Sequence, residues 1–328
     1  DVYKRQLLKT LSEKTSEELI TKILNIKGLQ HAVIENIVKR ADGNPFFMEE
    51  VVRSFIDEGA LVSKDGLFEI TEKIDSIVIP NTISDVLMAR IDRLEEQTRN
   101  LLKIASVIGR NFFYRVLSDA AKRIEDIDSR LSYLKEIQLI RERTRIKELE
   151  YLFKHALAQE ATYESILPQK RKNLHLTVAD SIEKVFKERL HEFYGMLALH
   201  YGKAENRDKS EEYLVKAGDE ALSVSASNEA LYYYQEALNH YLKQNKGAAD
   251  SEKLASLDRG IALALYNKGQ FSSAMDYFDS VLKRWGVRGP KNNVNMVISL
   301  IYKLIYTVLH LYFPPKKEQK APSEREND

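Results

Sequence analysis

The sequence predicts a mainly α fold, in which a helical first half carrying two small β-hairpins passes into an array of helical repeats. Three observations support this. Only 13 Gly and 7 Pro occur among 328 residues, few punctuators for a fold built of many short strands. Charged residues make up 30% of the chain, and Leu, Ala, Glu and Lys, which enter helices at little cost, recur throughout. Apolar residues fall at helical spacing in most windows, and the second half repeats a theme of small residues and aromatics. A chain this long can hold two or three domains, each with its own core.

Taken in order, residues 7 to 41 read as two or three short helices. "SEELITKIL" sets Leu19, Ile20, Ile23 and Leu24 at helical spacing, and "HAVIENIVKRA" does the same with Val33, Ile34 and Ile37. Gly43-Asn44-Pro45 then opens a helix that runs to about Asp57. Asn44 can cap the free amides of the first turn, Pro45 suits the first helical position, and Glu49 and Glu50 suit the positive helix start. In "GALVSKDGLFEI" two apolar runs flank Asp65-Gly66, a strong hairpin signal. The first domain, 1–79, ends here.

"IPNTISDVLMARIDRL" starts the second domain, 80–168, with Asn81 or Thr82 as N-cap and Ile83, Val86, Leu87, Ile91 and Leu94 on one face. Helices are expected over roughly 96–107, 112–122 and 126–137. "LIRERTRIKELEYLF" then offers two strand-like pieces around a charged turn, so three helices closed by a two-stranded wing give a winged-helix pattern. From 169 to 290 the chain reads as tetratricopeptide-like repeats. Ala230, Tyr234 and Ala237 match a second-helix pattern, Gly269, Ala274 and Phe278 match it again, and Gly218 and Ala221 suit a first helix. Ala230 and Ala274 lie 44 positions apart where about 34 is usual, so the register is degenerate.

Residues 291–313 form an apolar helix, read as packed on the repeats and not as a membrane span, because Lys303 near its middle is costly in lipid. The polar tail 314–328 is expected to be disordered.

Fifty Lys plus Arg face 49 Asp plus Glu, for a formal net charge of +1. No global field draws the chain to nucleic acid or to a membrane. The basic run "QKRKNLH", 169–175, lacks interleaved aromatics and reads as a structural surface. Absence of cysteine excludes disulfides, thiolate zinc sites and cysteine nucleophiles. No signal-peptide pattern follows Asp1, so the chain reads as cytoplasmic and as a piece beginning inside a longer protein. Residues 1–6, "DVYKRQ", resemble a translated artefact and carry no weight.

The phosphate-cradling pattern G-x-x-x-x-G-K-[ST] is absent, as are His-Glu-x-x-His and Gly-x-Ser-x-Gly. No catalytic residue and no metal ligand is expected. His155, His175, His191 and His200 fall on predicted helices and read as surface or satisfied core histidines, His155 being the one with a further candidate role.

Six blocks in order, "RADGNPFFMEEVVRSFIDEGALV", "IPNTISDVLMARIDRL", "LLKIASVIGRNFF", "LEYLFKHALAQEATYESIL", "KRKNLHLTVADSIE" and "YLVKAGDEAL", resemble the rear half of the AAA-like, or STAND, signal-transduction ATPases. Such ATPases are often fused behind class III adenylate or guanylate cyclase domains in bacteria. The resemblance spans about 7 to 313 and implies a helical lid, a winged helix and a repeat array, with the P-loop and Mg²⁺ site upstream. It places Gly43, Asn44 and Pro45 in the lid motif that approaches the adenine, and His155, in "FKH", where related switch ATPases reach the phosphates of ADP. It implies ATP or ADP with Mg in the parent protein, and no cofactor bound and no catalysis by this fragment alone. The implied partners are a protein on the repeats, and a nucleotide-binding core and output domain in cis. A repeat scaffold, or the regulatory arm of an ATP-dependent transcription activator, are the alternatives.

Overall fold

The computed structural model describes residues 9–24, 31–64, 67–77, 79–145, 148–245, 249–287 and 293–312. The fold is mainly α, with fifteen α-helices and two small antiparallel sheets among the described residues. Residues 1–6, Asp65-Gly66 and the tail 314–328 lie outside them. The chain divides into two compact units, one ending at Tyr213 and the other beginning at Leu214. That division falls inside the stretch whose sequence reads as repeats.

The first unit opens with α1 (Glu13–Leu24), α2 (His31–Ala41) and α3 (Pro45–Asp57), followed by β1 (Leu61–Lys64) and β2 (Leu67–Ile70). The hairpin pairs Leu61 with Ile70 and Lys64 with Leu67. Helix α3 buries Phe47, Met48, Val51, Val52 and Phe55 against Ile20 of α1, Ile37 of α2 and Leu61 of β1. This wide apolar stripe makes α3 the central helix of its cluster, and each buried Phe there contributes roughly 2–3 kcal/mol.

Helices α4 (Ile83–Asp92) and α5 (Glu96–Ile108) come next. Thr82 is the N-cap of α4: its Oγ1 accepts from the amide of Asp85 at 3.1 Å and donates to the Asp85 carboxylate at 2.7 Å. Strand β3 (Asn111–Phe113) follows, then α6 (Tyr114–Ala120), α7 (Ile127–Glu136), β4 (Ile140–Arg145), β5 (Glu148–Phe153) and α8 (Ala156–Glu164). The expected helix over 112–122 therefore starts later, since Asn111–Phe113 pairs with β5 and makes a third strand in the order β3-β5-β4. Phe112 is drawn into the sheet because its ring packs against Tyr151 and Phe153 of β5. Helix α9 (Pro168–Val185) packs on α6 and α5, and α10 (Tyr194–Lys203), reached through a 3₁₀ stretch over Lys187–Phe193, packs on α9. Helix α11 (Arg207–Ser223) runs across the division between the units.

The second unit contains α12 (Ser227–Gln244), α13 (Ser251–Asn267), α14 (Phe271–Arg284) and α15 (Asn293–Tyr312). Ala230, Tyr234 and Ala237 are buried on α12, as the repeat pattern predicts. The Tyr234 ring lies between two glycines: a Cβ on Gly218 of α11 would come within 2.9 Å of it, and one on Gly260 of α13 within 2.5 Å. Glycine at these places is what lets three helices close around one aromatic ring. The Tyr234 hydroxyl donates to Asp219 at 2.5 Å, and burial, then this bond, raise its pKa. The packed helix expected over 291–313 is a helix, but its described side chains are not covered. Val297, Leu300, Ile301, Leu304 and Ile305 are each more than half exposed. Among the described residues no helix is long and apolar enough to cross a membrane.

Candidate functional site

Gly43, Asn44 and Pro45 form the turn between α2 and α3, and each residue type has a local physical cause. Asp42 and Gly43 adopt φ of 45° and 71°, a left-handed stretch that turns the chain between the helices. The Gly43 carbonyl accepts from the Leu11 amide at 2.9 Å, and a Cβ at Gly43 would lie 2.4 Å from the Leu11 carbonyl oxygen. The glycine is thus required by close approach of this chain's own backbone. Asn44 is the N-cap of α3, its side-chain oxygen accepting from the amides of Phe46 at 3.0 Å and Phe47 at 3.4 Å. Pro45 occupies the first helical turn, where a missing amide costs nothing.

Glu49 and Glu50 lie beyond the first turn of α3 and act through side-chain partners, not by complementing the helix start. Glu49 accepts from Lys154 at 2.6 Å and from Arg53 at 2.7 Å. Burial alone would raise its pKa, but these two cations outweigh it and hold the carboxyl down at about 2. Glu50 is 1% exposed and pairs with Arg90 of α4, while burial pushes its carboxyl upward against that partner. Arg90 also donates to Asp57 at 2.8 Å and to the Ile137 carbonyl at 2.9 Å. Helix α3 is therefore pinned along its polar side to α4, to the end of α7 and to the residue after β5.

His155 sits at the N-cap of α8 with extended φ and ψ of −126° and 138°, and not within a helix as its neighbours suggest. Its ring lies 3.8 Å from that of Phe46, centroid to centroid. The structure thus brings the first turn of α3 and the "FKH" histidine together, through Phe46 and not through Pro45. Nε2 of His155 is buried without a hydrogen-bond partner. Burial first, and then the adjacent Lys154, hold its pKa down at about 4, so the ring is neutral at neutral pH with one nitrogen uncommitted. Phe46, Glu49, Gln138 and Lys154 complete the group, Lys154 donating to Gln138 at 3.1 Å. Of these four the sequence singles out Glu49 alone, and for the helix start; the flanking position of Lys154 beside His155 is the signal that could have raised Lys154.

Of the other histidines, His191 is exposed, and the Nε2 of His200 is buried with no hydrogen-bond partner among the described residues. His175 and His200 form a buried pair, Nδ1 to Nδ1 at 2.8 Å, and Tyr163 reaches His175 at 2.9 Å. In the basic run, Arg171 donates to the carbonyl of Ile166 at 3.0 Å and lies over the Tyr163 ring, and Lys172 pairs with Glu205 at 2.7 Å. Among the described residues no group of three or more His, Cys, Asp or Glu side chains could hold a metal ion.

A family model described as "Domain of unknown function (DUF8739)" matches residues 12–66, the region of α1 to the hairpin. No curated protein matches the chain. Among solved structures, the chain is similar to a Signal Transduction ATPase with Numerous Domains (STAND) protein with a tetratricopeptide repeat sensor from Pyrococcus horikoshii. Identity is 15% and the TM-score 0.33, over 93% of this chain and 58% of that one. A TM-score of that size does not by itself establish a shared fold, and the chain spans well under two thirds of that protein.

Proposed function

We propose that this chain is the regulatory part of a nucleotide-switched signalling protein, with 1–79 acting as the lid and 80–168 as a winged-helix domain. The repeats then act as the sensor that a protein partner engages. The observation that carries this reading is the meeting of Phe46, next to Gly43-Asn44-Pro45, with His155. Two sequence blocks more than a hundred residues apart, each matched to a nucleotide-facing motif in the resemblance, converge on one spot. A parent with cyclase output is the version of this reading that the six sequence blocks favour.

In the mechanism that follows, this segment performs no chemistry. Nucleotide held by an upstream core would favour one arrangement of α3 against α8, and release or hydrolysis another, so the repeats are presented differently in the two states. His155 would contribute a neutral imidazole with a free Nε2, able to donate to or accept from one ligand oxygen once the Phe46 ring moves aside. Gly43 is committed to the Leu11 backbone, so Pro45 and Phe46 are the part of the turn left to meet a base.

The experiment is carried out on the parent protein obtained by sequencing upstream of Asp1. His155→Ala should weaken ADP binding and raise basal output, while Gly43→Ala should lower stability without a selective effect on nucleotide. A parent without a P-loop sinks the proposal, as does one whose ADP affinity and basal output are both untouched by His155→Ala. In the first case the scaffold reading, resting on the repeats of the second unit alone, takes its place.

A further inference from the structure

The second unit carries apolar surface that none of the described residues covers. Helix α14 packs on α13 through Ala274 and Val281, and Arg284 and Ser280 fix its rotation by bonding Asp258 at 3.1 and 3.0 Å. The flank next to that seam, roughly 70° round the helix, carries Phe271, Met275, Phe278, Leu282 and Trp285, spaced 4, 3, 4 and 3, with Phe278 half-buried. That alternation is the seam pattern of a helix that packs lengthwise against another helix. Phe271, Met275 and Trp285 are 59%, 60% and 54% exposed and Leu282 is also exposed. Helix α15 repeats the situation, for Val297, Ile298, Leu300, Ile301, Leu304 and Ile305 span an arc of about 160° and are all exposed.

We propose that α14 and α15 form a self-association surface whose occupant is a second copy of this chain, α15 of each copy lying along the α14 stripe of the other. Both faces are exposed in the same chain, so neither satisfies the other in cis. The exposed side chains together offer on the order of 1,000 Å² of apolar surface per copy, above the roughly 800 Å² that a stable interface takes from each partner. A lipid surface fits less well. The charges of α14 balance, Asp276 and Asp279 against Lys283 and Arg284, so none draws the stripe to an anionic bilayer, and lipid has no use for heptad spacing. The inference does not depend on the nucleotide reading.

The chain has no cysteine and one tryptophan, Trp285, on the proposed interface. Sedimentation of the full chain should give twice the 37.8 kDa mass at micromolar concentration, and Trp285 emission should shift to the red on dilution. Met275→Glu or Leu304→Glu, each at a side chain already exposed, should weaken the dimer about a hundredfold, because a charge would be desolvated there. Mixing Met275→Cys chains with Leu304→Cys chains and adding a bismaleimide should give a cross-linked dimer that carries one of each. This readout decides the matter even if a glutamate variant loses helicity. The proposal is overturned by a wild-type monomer with unchanged emission on dilution. It is equally overturned if the mixed single-cysteine chains give no cross-linked dimer, or if a monomer binds phosphatidylserine vesicles through Leu304.

Discussion

Two seats in this molecule do comparable work with opposite chemistry. In the first unit α3 is held at its polar side by charges, Glu50 and Asp57 on Arg90 and Glu49 on Lys154, with one ring contact between Phe46 and His155. In the second unit Tyr234 is held by shape, its ring between Gly218 and Gly260 and its hydroxyl on Asp219. A steric seat admits one arrangement, since closely packed atoms have no second place to go. An ionic seam can be retuned by protonation, or by another charge entering it, which is the property a switch needs. The contrast makes the α3 seam the adjustable part and the repeat seat the rigid one.

The largest test of that contrast is Arg90→Met. Glu50 would be left buried with only the more distant Arg53, at 3.9 Å, at a cost of about 3 kcal/mol to the first unit. Adding Glu50→Leu should recover most of the loss, because an apolar pair of similar volume needs no compensation. Urea unfolding followed by hydrogen exchange in α3 and α4 would read both. A cost under about 1 kcal/mol for Arg90→Met would show that the seam is not ionic in the sense argued.

Next comes Gly260→Ala, which puts a methyl 2.5 Å from Cε1 of Tyr234 and should cost about 1–3 kcal/mol by overpacking. In a Tyr234→Leu background the same change should reverse sign and stabilise by up to about 1 kcal/mol, since alanine is the better helix residue. Exchange in α12 and α13 is the measurement, and a loss unaltered by removing the ring would break the steric account. Tyr234→Phe is smaller, about 1 kcal/mol, for the single hydroxyl bond to Asp219.

These seats differ in how far the sequence reveals them. The α3 start was legible because capping is local: Asn44 and Pro45 act on amides within three residues. Ala230, Tyr234 and Ala237 were legible because a repeat writes its packing as a pattern. Gly260 was not assigned, although a lone glycine inside a strong helix is a signal for close approach. Strand β3 escaped because three residues cannot show an alternation, and its pairing with β5 depends on a segment some forty residues later. The pairing of Lys154 with Glu49 spans 105 positions, and nothing local in either residue selects the other. Long-range ion pairs leave no periodic trace, so the adjustable seam is the part that sequence reading finds last.

The smallest effect is also the one that separates the two seats most cleanly. His155 has its pKa lowered from 6.5 to about 4, by burial first and then by Lys154, against the opposing pull of Glu49 and with lesser repulsion from Arg141 and Arg53. A basic group with a lowered folded pKa favours the folded state fully above its unfolded value and loses that contribution as pH falls from 6.5 toward 4. Glu49, held at about 2, begins to weaken only below about 4.5, whereas Glu50, whose carboxyl burial pushes upward, shares the window from pH 6.5 to 4.5 with histidine. His175 and His200 titrate in the same direction in the same unit, so the comparison must be made against His155→Gln. That variant should flatten the decline of protection in β5 and α8 by about 1 kcal/mol across the window. Around Tyr234, whose hydroxyl stays protonated throughout, protection should show no difference between wild type and variant. An equal change at both places would mean that the acid sensitivity belongs to the whole chain and not to the α3 seam.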